Sequence, residues 1–278
     1  MNIGCHISIA KGIEKTPEKA ANLGCETMQI FSRSPRGGKA KKITKQIIHQ
    51  FKIQNSKFKI REVYIHAPYY INFASANNHI CYSSAKTVRE ELEMASLLGA
   101  KYVITHLGSS KDVGREKGIK KTIKMLSISI NGYKGSTKLL LENTAGSGKI
   151  IGSSFSELAK IIKGVDKLAI AGVCLDTQHS FASGYDWKNF DKTLKKISKE
   201  INLKLIKFIH ANDSKVECGS RKDRHEHIGK GKIGLKAFKK IVKFAVENNI
   251  DMVCETEEHG VIEDIKTLKK FRQLFVQG

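Results

Sequence analysis

Paired cysteines are missing. The six cysteines, Cys5, Cys25, Cys81, Cys174, Cys218 and Cys254, are scattered without any CxxC spacing, which excludes a thiolate zinc knuckle and a dithiol redox motif. Several lie inside apolar runs, where a reduced thiol behaves as a small hydrophobe, so a reducing intracellular compartment is expected. Long apolar runs are missing too, and none approaches the length that spans a bilayer. The opening MNIGCHISIAKG lacks the basic-then-apolar order of a secretion signal, so a soluble, non-secreted protein without a membrane partner is expected. No stretch has the composition of a linker, and residues 1–278 are expected to form one domain.

Acidic residues are scarce beside basic ones. Lys+Arg 49 against Asp+Glu 27 leaves a formal net charge of +22 and a pI near 9.7. Such a field attracts polyanions and releases counterions from a phosphate backbone, making nucleic acid the natural partner. AT-rich coding also enriches lysine along with Ile and Asn, so the total alone proves nothing. The charge gains weight from its clustering in SRSPRGGKAKK at 32–42 and GSRKDRHEH at 219–227, both loop-like.

What the chain has in quantity is short, β-branched apolar runs: NIGCHIS (2–8), TMQIF (27–31), VYIHA (63–67), YVITH (102–106), KLLLENT (138–144), AGVCLDT (171–177), LIKFIHAND (205–213) and DMVCETE (251–257). Continuous rather than alternating hydrophobicity suits strands covered on both faces. Helical patterns lie between them. In SSAKTVREELEMASLLG, Val88, Leu92, Ala95 and Leu98 share a face and Gly99 is the stop; in LKAFKKIVKFAVENN, Phe238, Ile241, Val242 and Ala245 face inward and Asn248 and Asn249 end the run. A helix, glycine turn and strand recur in AANLGCETMQIF and ASLLGAKYVITH. About eight such alternations predict an α/β fold, a single-domain TIM (β/α)8 barrel.

In that fold the reactive groups sit at the carboxyl ends of strands, and candidate ligands occur there. His66, His106, Glu142, Asp176, His210 and Glu255 each close a predicted strand, and His179, Asp223 and His225 follow in the adjoining loops. Imidazole nitrogen and carboxylate oxygen suit zinc or manganese. One histidine alone is more often a hydrogen-bonded structural residue than a ligand. Joint occurrence at successive strand ends points instead to a multinuclear metal centre.

Other polar residues have plainer readings. His6 is expected behind the ligands or in the core. Asn212 and Asp213 either orient ligands or cap a turn, and Glu257, Glu258 and His259 are expected in a solvated loop. Asp186 should cap a helix start with Trp187 packed inward, and Lys195, Lys196, Lys239 and Lys240 should form a solvated face. The glycines of TAGSG and GKGKIG are too common a pattern to mark a phosphate loop.

The segments LENTAGSG, CLDTQHSFASGYD, HANDSK and DRHEHIGKGKIG resemble, in content and order, the signature motifs of the endonuclease IV family of apurinic/apyrimidinic endonucleases. The likeness runs from GCHIS to ETEEHG. It implies a zinc-dependent barrel enzyme that cuts duplex DNA on the 5′ side of abasic sites and trims blocked 3′ ends. It implies three zinc ions, with manganese suited to one position: His66, His106 and Glu142 at the first; Glu142, Asp176, His210 and Glu255 at the second; His179, Asp223 and His225 at the third. Glu142, Asp176 and Glu255 are then the catalytic carboxylates. His225 is the ligand of its loop, and His227, which alternates with it, is read as surface or phosphate-facing. Arg36, Tyr69 and Tyr70 match loop positions that enter the DNA stack, although the tyrosines could equally be packed.

Three departures from the family pattern touch loops rather than ligands: Ser34 with Gly37 and Gly38, Leu107 where proline is common, and Lys230 where an acid is common. No nucleotide cofactor is implied, and a monomer is expected. The competing reading is a metal-dependent sugar isomerase or epimerase on the same barrel, which needs fewer ligands and gains nothing from a basic face. An inactive DNA-binding descendant is the third, against which the full ligand set speaks.

Overall fold

The computed structural model of the chain describes residues 1–37, 43–165 and 169–276. Gly38 and the lysines at 39, 41 and 42 in the first basic stretch lie outside the described residues. The strands are β1 Ile3–Ile7, β2 Thr27–Phe31, β3 Glu62–His66, β4 Tyr102–Thr105, β5 Lys138–Glu142, β6 Ile170–Asp176, β7 Ile206–His210, β8 Asp213–Ser214, β9 His225–Glu226 and β10 Asp251–Cys254. The helices are α1 Thr16–Asn22, α2 Lys45–Lys57, α3 Asn78–Leu98, α4 Arg115–Ile130, α5 Phe155–Gly164, α6 Thr177–Ala182, α7 Phe190–Glu200, α8 Leu235–Glu247 and α9 Glu258–Val276.

Eight strands close a parallel barrel in the order β1-β10-β7-β6-β5-β4-β3-β2, as the alternating pattern requires. The short pair β8 and β9 is the exception: an antiparallel ribbon above the barrel mouth, with Asp213 opposite Glu226 and Ser214 opposite His225. The apolar runs overshoot their strands by a residue or more, so His106 and Glu255 stand one position beyond β4 and β10 rather than closing them.

Two predicted helices show how the outer layer is held. Asn77 caps α3 by accepting from the His79 amide, and Val88, Leu92, Ala95 and Leu98 are buried on one face. Burial of each larger side chain among them is worth about 1.5–3 kcal/mol. Gly99 ends the helix at φ 77°, a left-handed conformation that favours glycine. On α8, Phe238, Ile241, Val242 and Ala245 are buried as expected, and Asn248 follows the last turn.

Inside the barrel a separate apolar cluster joins Tyr64, Ile104, Leu140, Cys174, Phe208 and Val253, all fully buried. Gly4 fills the wall beside it, since a Cβ there would fall 1.7 Å from the Thr27 carbonyl oxygen. Among the described residues, no helix is long and apolar enough to cross a membrane.

Candidate metal centre

Side chains alternate along a strand, so residues two apart point the same way. Two positions above the apolar cluster, the barrel strands therefore deliver His66, His106, Glu142, Asp176, His210 and Glu255 into one space. Glu142 is at the centre and has no exposure. Its Oε2 lies 3.0 Å from His66 Nε2 and 3.5 Å from His106 Nε2; its Oε1 lies 3.1 Å from His210 Nδ1 and 3.2 Å from His179 Nδ1. One carboxylate thus faces four imidazoles, two on each oxygen.

Three groups of donors converge within 4.8 Å: His66, His106 and Glu142; Glu142, Asp176, His210 and Glu255; and Asp176, His179 and His225. Asp223 is half-exposed and reaches the last group from the loop before β9, 3.2 Å from His179 Nε2 and 3.3 Å from His225 Nε2. All nine residues singled out as ligands are therefore brought together, and Asp176 borders two groups rather than one.

Backbone and amide groups aim the rings. His66 Nδ1 donates to the Ala67 carbonyl at 2.6 Å, leaving Nε2 toward Glu142, and His179 Nδ1 donates to the Asn143 carbonyl at 3.0 Å, leaving Nε2 toward Asp223. Asp176 caps α6 by accepting from the His179 amide at 2.6 Å, and so fixes two donors in one turn. Asn212 resolves toward orientation: its Nδ2 donates to Asp176 Oδ2 at 2.7 Å, and its Oδ1 accepts from the Glu255 amide at 2.8 Å. Asp213 resolves toward capping, accepting from the amides of Ser214, Gly229, Ile233 and Gly234 and pinning the loop that carries His225.

The electrostatics are those of a site shaped for cations. Burial would raise the Glu142 carboxyl, but His106, His210 and His179 hold it well below the usual range, and the same contest leaves Glu255, beside His210, at about 2. Burial would lower His66, His179 and His210, yet neighbouring groups raise all three: Glu142 beside His66, Asp176 and Asp223 beside His179, and Cys174, Glu255 and Glu142 beside His210. His106 goes the other way, lowered by burial to about 4. In His66, His179 and His210, but not in His106, the carboxylates thus favour the protonated ring where a metal would otherwise supply the positive charge. Buried His225 Nε2 has no hydrogen-bond partner although two carboxylates lie within 3.8 Å, an orphan that a metal ion would satisfy.

Other expectations meet the structure unevenly. Tyr69 is 59% and Tyr70 40% exposed at the rim, with Tyr69 edge-on to Phe31, so neither is packed away. Arg36 is exposed. His227 is neither surface nor phosphate-facing: it is buried and bonds Asp264 Oδ2 through Nδ1 at 2.7 Å, because the extended loop that turns His225 inward turns His227 against α9. His6 is partly buried, 3.9 Å from Glu255 and therefore behind the ligands. Glu258 and His259 are exposed but begin α9 rather than lie in a loop. Asp186 caps as expected, with Trp187 buried.

Sequence reasoning passed over Gln29, Asn143 and the pair Arg33 and Glu91. Buried Glu91 on α3 accepts from Ser32 Oγ and Arg33 Nε, tying the loop that bears Arg36 to the helix layer. The available signal was a lone polar residue in an apolar strand for Gln29, and a buried acid on an apolar helix face for Glu91.

A groove of about 560 Å³ runs from Tyr69 and Tyr70 past His106 and His179 to Asp223, and one of about 400 Å³ continues from Asp223 past His225 to His259. A larger cavity, about 820 Å³, lies between the end of α4 and the start of β5, at the opposite end of the barrel, and contains none of the clustered donors.

A family model described as xylose isomerase-like TIM barrel matches residues 17–271. The probable endonuclease 4 of Cenarchaeum symbiosum is 38% identical, covering 99% of both chains, and that of Aquifex aeolicus is 37% identical, covering 98% of this chain and 97% of its own. The crystal structure of endonuclease IV from Thermus thermophilus superposes with a TM-score of 0.84 at 31% identity over the whole of both chains. The chain belongs to the endonuclease IV family, and so to the hydrolases. A D-tagatose 3-epimerase-like protein also superposes, with a TM-score of 0.77, but at 18% identity it shares the barrel and nothing finer. Within the endonuclease IV family, the donor cluster is where the chemistry of this chain must be sought.

Proposed function

We propose that the protein hydrolyses the phosphodiester bond 5′ to abasic sites in duplex DNA, leaving a 3′-hydroxyl and a 5′-deoxyribose phosphate, and trims blocked 3′ ends in base excision repair. The observation that carries this reading is the buried Glu142 carboxylate with imidazoles on both oxygens, at the mouth of a barrel whose family is a nuclease family.

His66, His106 and Glu142 would hold one zinc, Glu142, Asp176, His210 and Glu255 a second, and His179, Asp223 and His225 a third, with manganese able to replace one. When bound, such ions supply Lewis acidity, acidifying water and neutralising charge that develops on a phosphodiester. The side chains supply the geometry. Glu142 and Asp176 face two donor groups each, Asn143 and Asn212 hold Asp176 from both sides, and Asp223 closes the centre from a solvent-facing loop. No separate general base is needed.

At the rim, exposed Tyr69 and Tyr70 offer faces that can replace a missing base in the stack, and Arg36 stands on the neighbouring loop. Opening a duplex where a base is already absent costs less than opening an intact one, which favours the abasic substrate. The enzyme would act inside the cell as a monomer without a nucleotide cofactor.

The test is a duplex containing one tetrahydrofuran abasic analogue. Metal-loaded protein is expected to nick it, to lose activity on prolonged chelation and to leave intact duplex whole, with binding that weakens as salt rises. Loaded protein that leaves the analogue uncut but interconverts a ketose and an aldose would establish the sugar isomerase reading instead.

A further inference from the structure

Gln29 lies in the middle of β2 and is wholly buried. Its amide touches two donors of the centre and the histidine behind them: Nε2 is 2.6 Å from Glu255 Oε1 and 3.0 Å from His6 Nδ1, and Oε1 is 2.8 Å from His210 Nε2. The chemistry of the partners fixes its orientation. An ionised carboxylate only accepts, so the NH2 must face Glu255 and the amide oxygen must face His210. An amide oxygen also only accepts, so the proton in that hydrogen bond sits on His210 Nε2.

In the neutral ring, Nδ1 is then a bare lone pair. It points 3.1 Å from Glu142 Oε1, 3.3 Å from Glu255 Oε2 and 3.9 Å from Asp176 Oδ2. That nitrogen is thus the ring's free donor atom, placed among three carboxylates where a cation would be shared; without a metal, a second proton on Nδ1 takes the cation's place and donates to Glu142. We infer that Gln29 is the positioning residue of the centre: it sets the His210 tautomer that presents Nδ1 to the carboxylates, and it holds Glu255 beside that nitrogen. This rests on the metal-centre reading above, and it assigns a role to a side chain that bears no ligand atom itself.

Other residues would fail in distinct ways. Leucine would leave His210 and Glu255 unpaired. Glutamate would still accept from His210 but would set a second negative oxygen against Glu255. Asparagine, one methylene shorter, could not reach both partners.

The experiment compares parent, Gln29→Leu and Gln29→Glu proteins by two readouts: zinc affinity, from competition with a chromophoric chelator, and the two-bond proton–nitrogen imidazole spectrum of His210 above the pH at which the ring is protonated. Gln29→Leu is expected to lose about 10–100-fold in zinc affinity and to show His210 as a mixture of tautomers. Gln29→Glu is expected to keep the Nε2–H signature while still losing zinc affinity. Parental zinc affinity in either variant, or a parental His210 spectrum in Gln29→Leu, would overturn the inference. If circular dichroism shows that Gln29→Leu does not fold, Gln29→Glu decides alone. A parent protein that takes up no zinc would defeat the metal-centre reading instead, and the His210 spectra would still decide what Gln29 does to the tautomer.

Discussion

The closed interior of the barrel and its mouth are built from the same strands, two residues apart. Tyr64 precedes His66, Ile104 precedes His106, Leu140 precedes Glu142, Cys174 precedes Asp176, Phe208 precedes His210 and Val253 precedes Glu255. The lower residues of these pairs are apolar or nearly so and form a plug without exposure; the upper residues are donors. The plug closes the centre to water from below and lowers the dielectric beneath it, so charges at the mouth act on each other strongly. It also braces the donors: the Phe208 ring stacks on Tyr64 at 4.0 Å and meets His210 edge-on at 5.5 Å. Stability and chemistry are thus separated by one β period, and mutations in the two layers should fail differently.

The largest effect expected is at the upper layer. Glu142→Gln keeps the shape but removes the charge that four imidazoles share, and it should abolish incision of the tetrahydrofuran duplex while anisotropy still detects DNA binding. Undiminished turnover would remove Glu142 from the centre of the mechanism.

The lower layer should show the converse. Phe208→Ala empties the plug under His210 and is expected to cost about 3–5 kcal/mol in urea unfolding. Surviving folded molecules should still bind zinc, more weakly because His210 has lost its support. If unfolding is unchanged, the plug is not what holds the barrel together.

How much of this division can be seen in sequence depends on distance along the chain. The six strand donors are legible because each stands at the end of an apolar run, and a parallel barrel puts all such ends on one face, whereas His179, Asp223 and His225 follow in loops and are marked by the motifs around them. The plug was legible only as hydrophobicity: which apolar residues face inward depends on register, and β5 and β6 shift register at Leu139/Leu140 and Val173/Cys174. Gln29 stands out as the polar residue of an apolar strand, but its role is not legible, because its partners, His210 and Glu255, are far away in sequence and only the closed barrel brings β2 near them. His227 was misread for a related reason. Alternation correctly put it opposite His225, but the far side of that loop is α9, with Asp264 waiting, not solvent.

A subtler comparison uses pH. In metal-free protein, raised His66, His179 and His210 contribute stability that is fully present below the ordinary imidazole value near 6.5 and is lost as pH rises through their folded values. Depressed Glu142 and Glu255 contribute stability that is present above the ordinary carboxylate range and is lost as pH falls through their folded values. Metal-free Tm should therefore decline above neutral pH. Zinc replaces those protons, so the alkaline decline should flatten in loaded protein. Parallel Tm curves with and without zinc would show that the imidazoles and the metal do not compete.

The smallest effect belongs to the floor beneath the plug. Tyr64 donates through its hydroxyl to Asp251 Oδ2 at 2.6 Å, and Asp251 also accepts through Oδ1 from the Asn2 amide nitrogen at 2.6 Å and from Asn2 Nδ2 at 3.1 Å. Tyr64→Phe keeps the ring that stacks on Phe208 and removes one of the three donors to Asp251. The cost should be about 1 kcal/mol, seen as a lower urea midpoint at unchanged slope. Because the ring still supports Phe208, the donor layer should not move, and turnover and zinc affinity should match the parent. A drop in turnover without a drop in stability would mean that the floor is coupled to the mouth through the stacked rings, and the two layers would have to be treated as one unit.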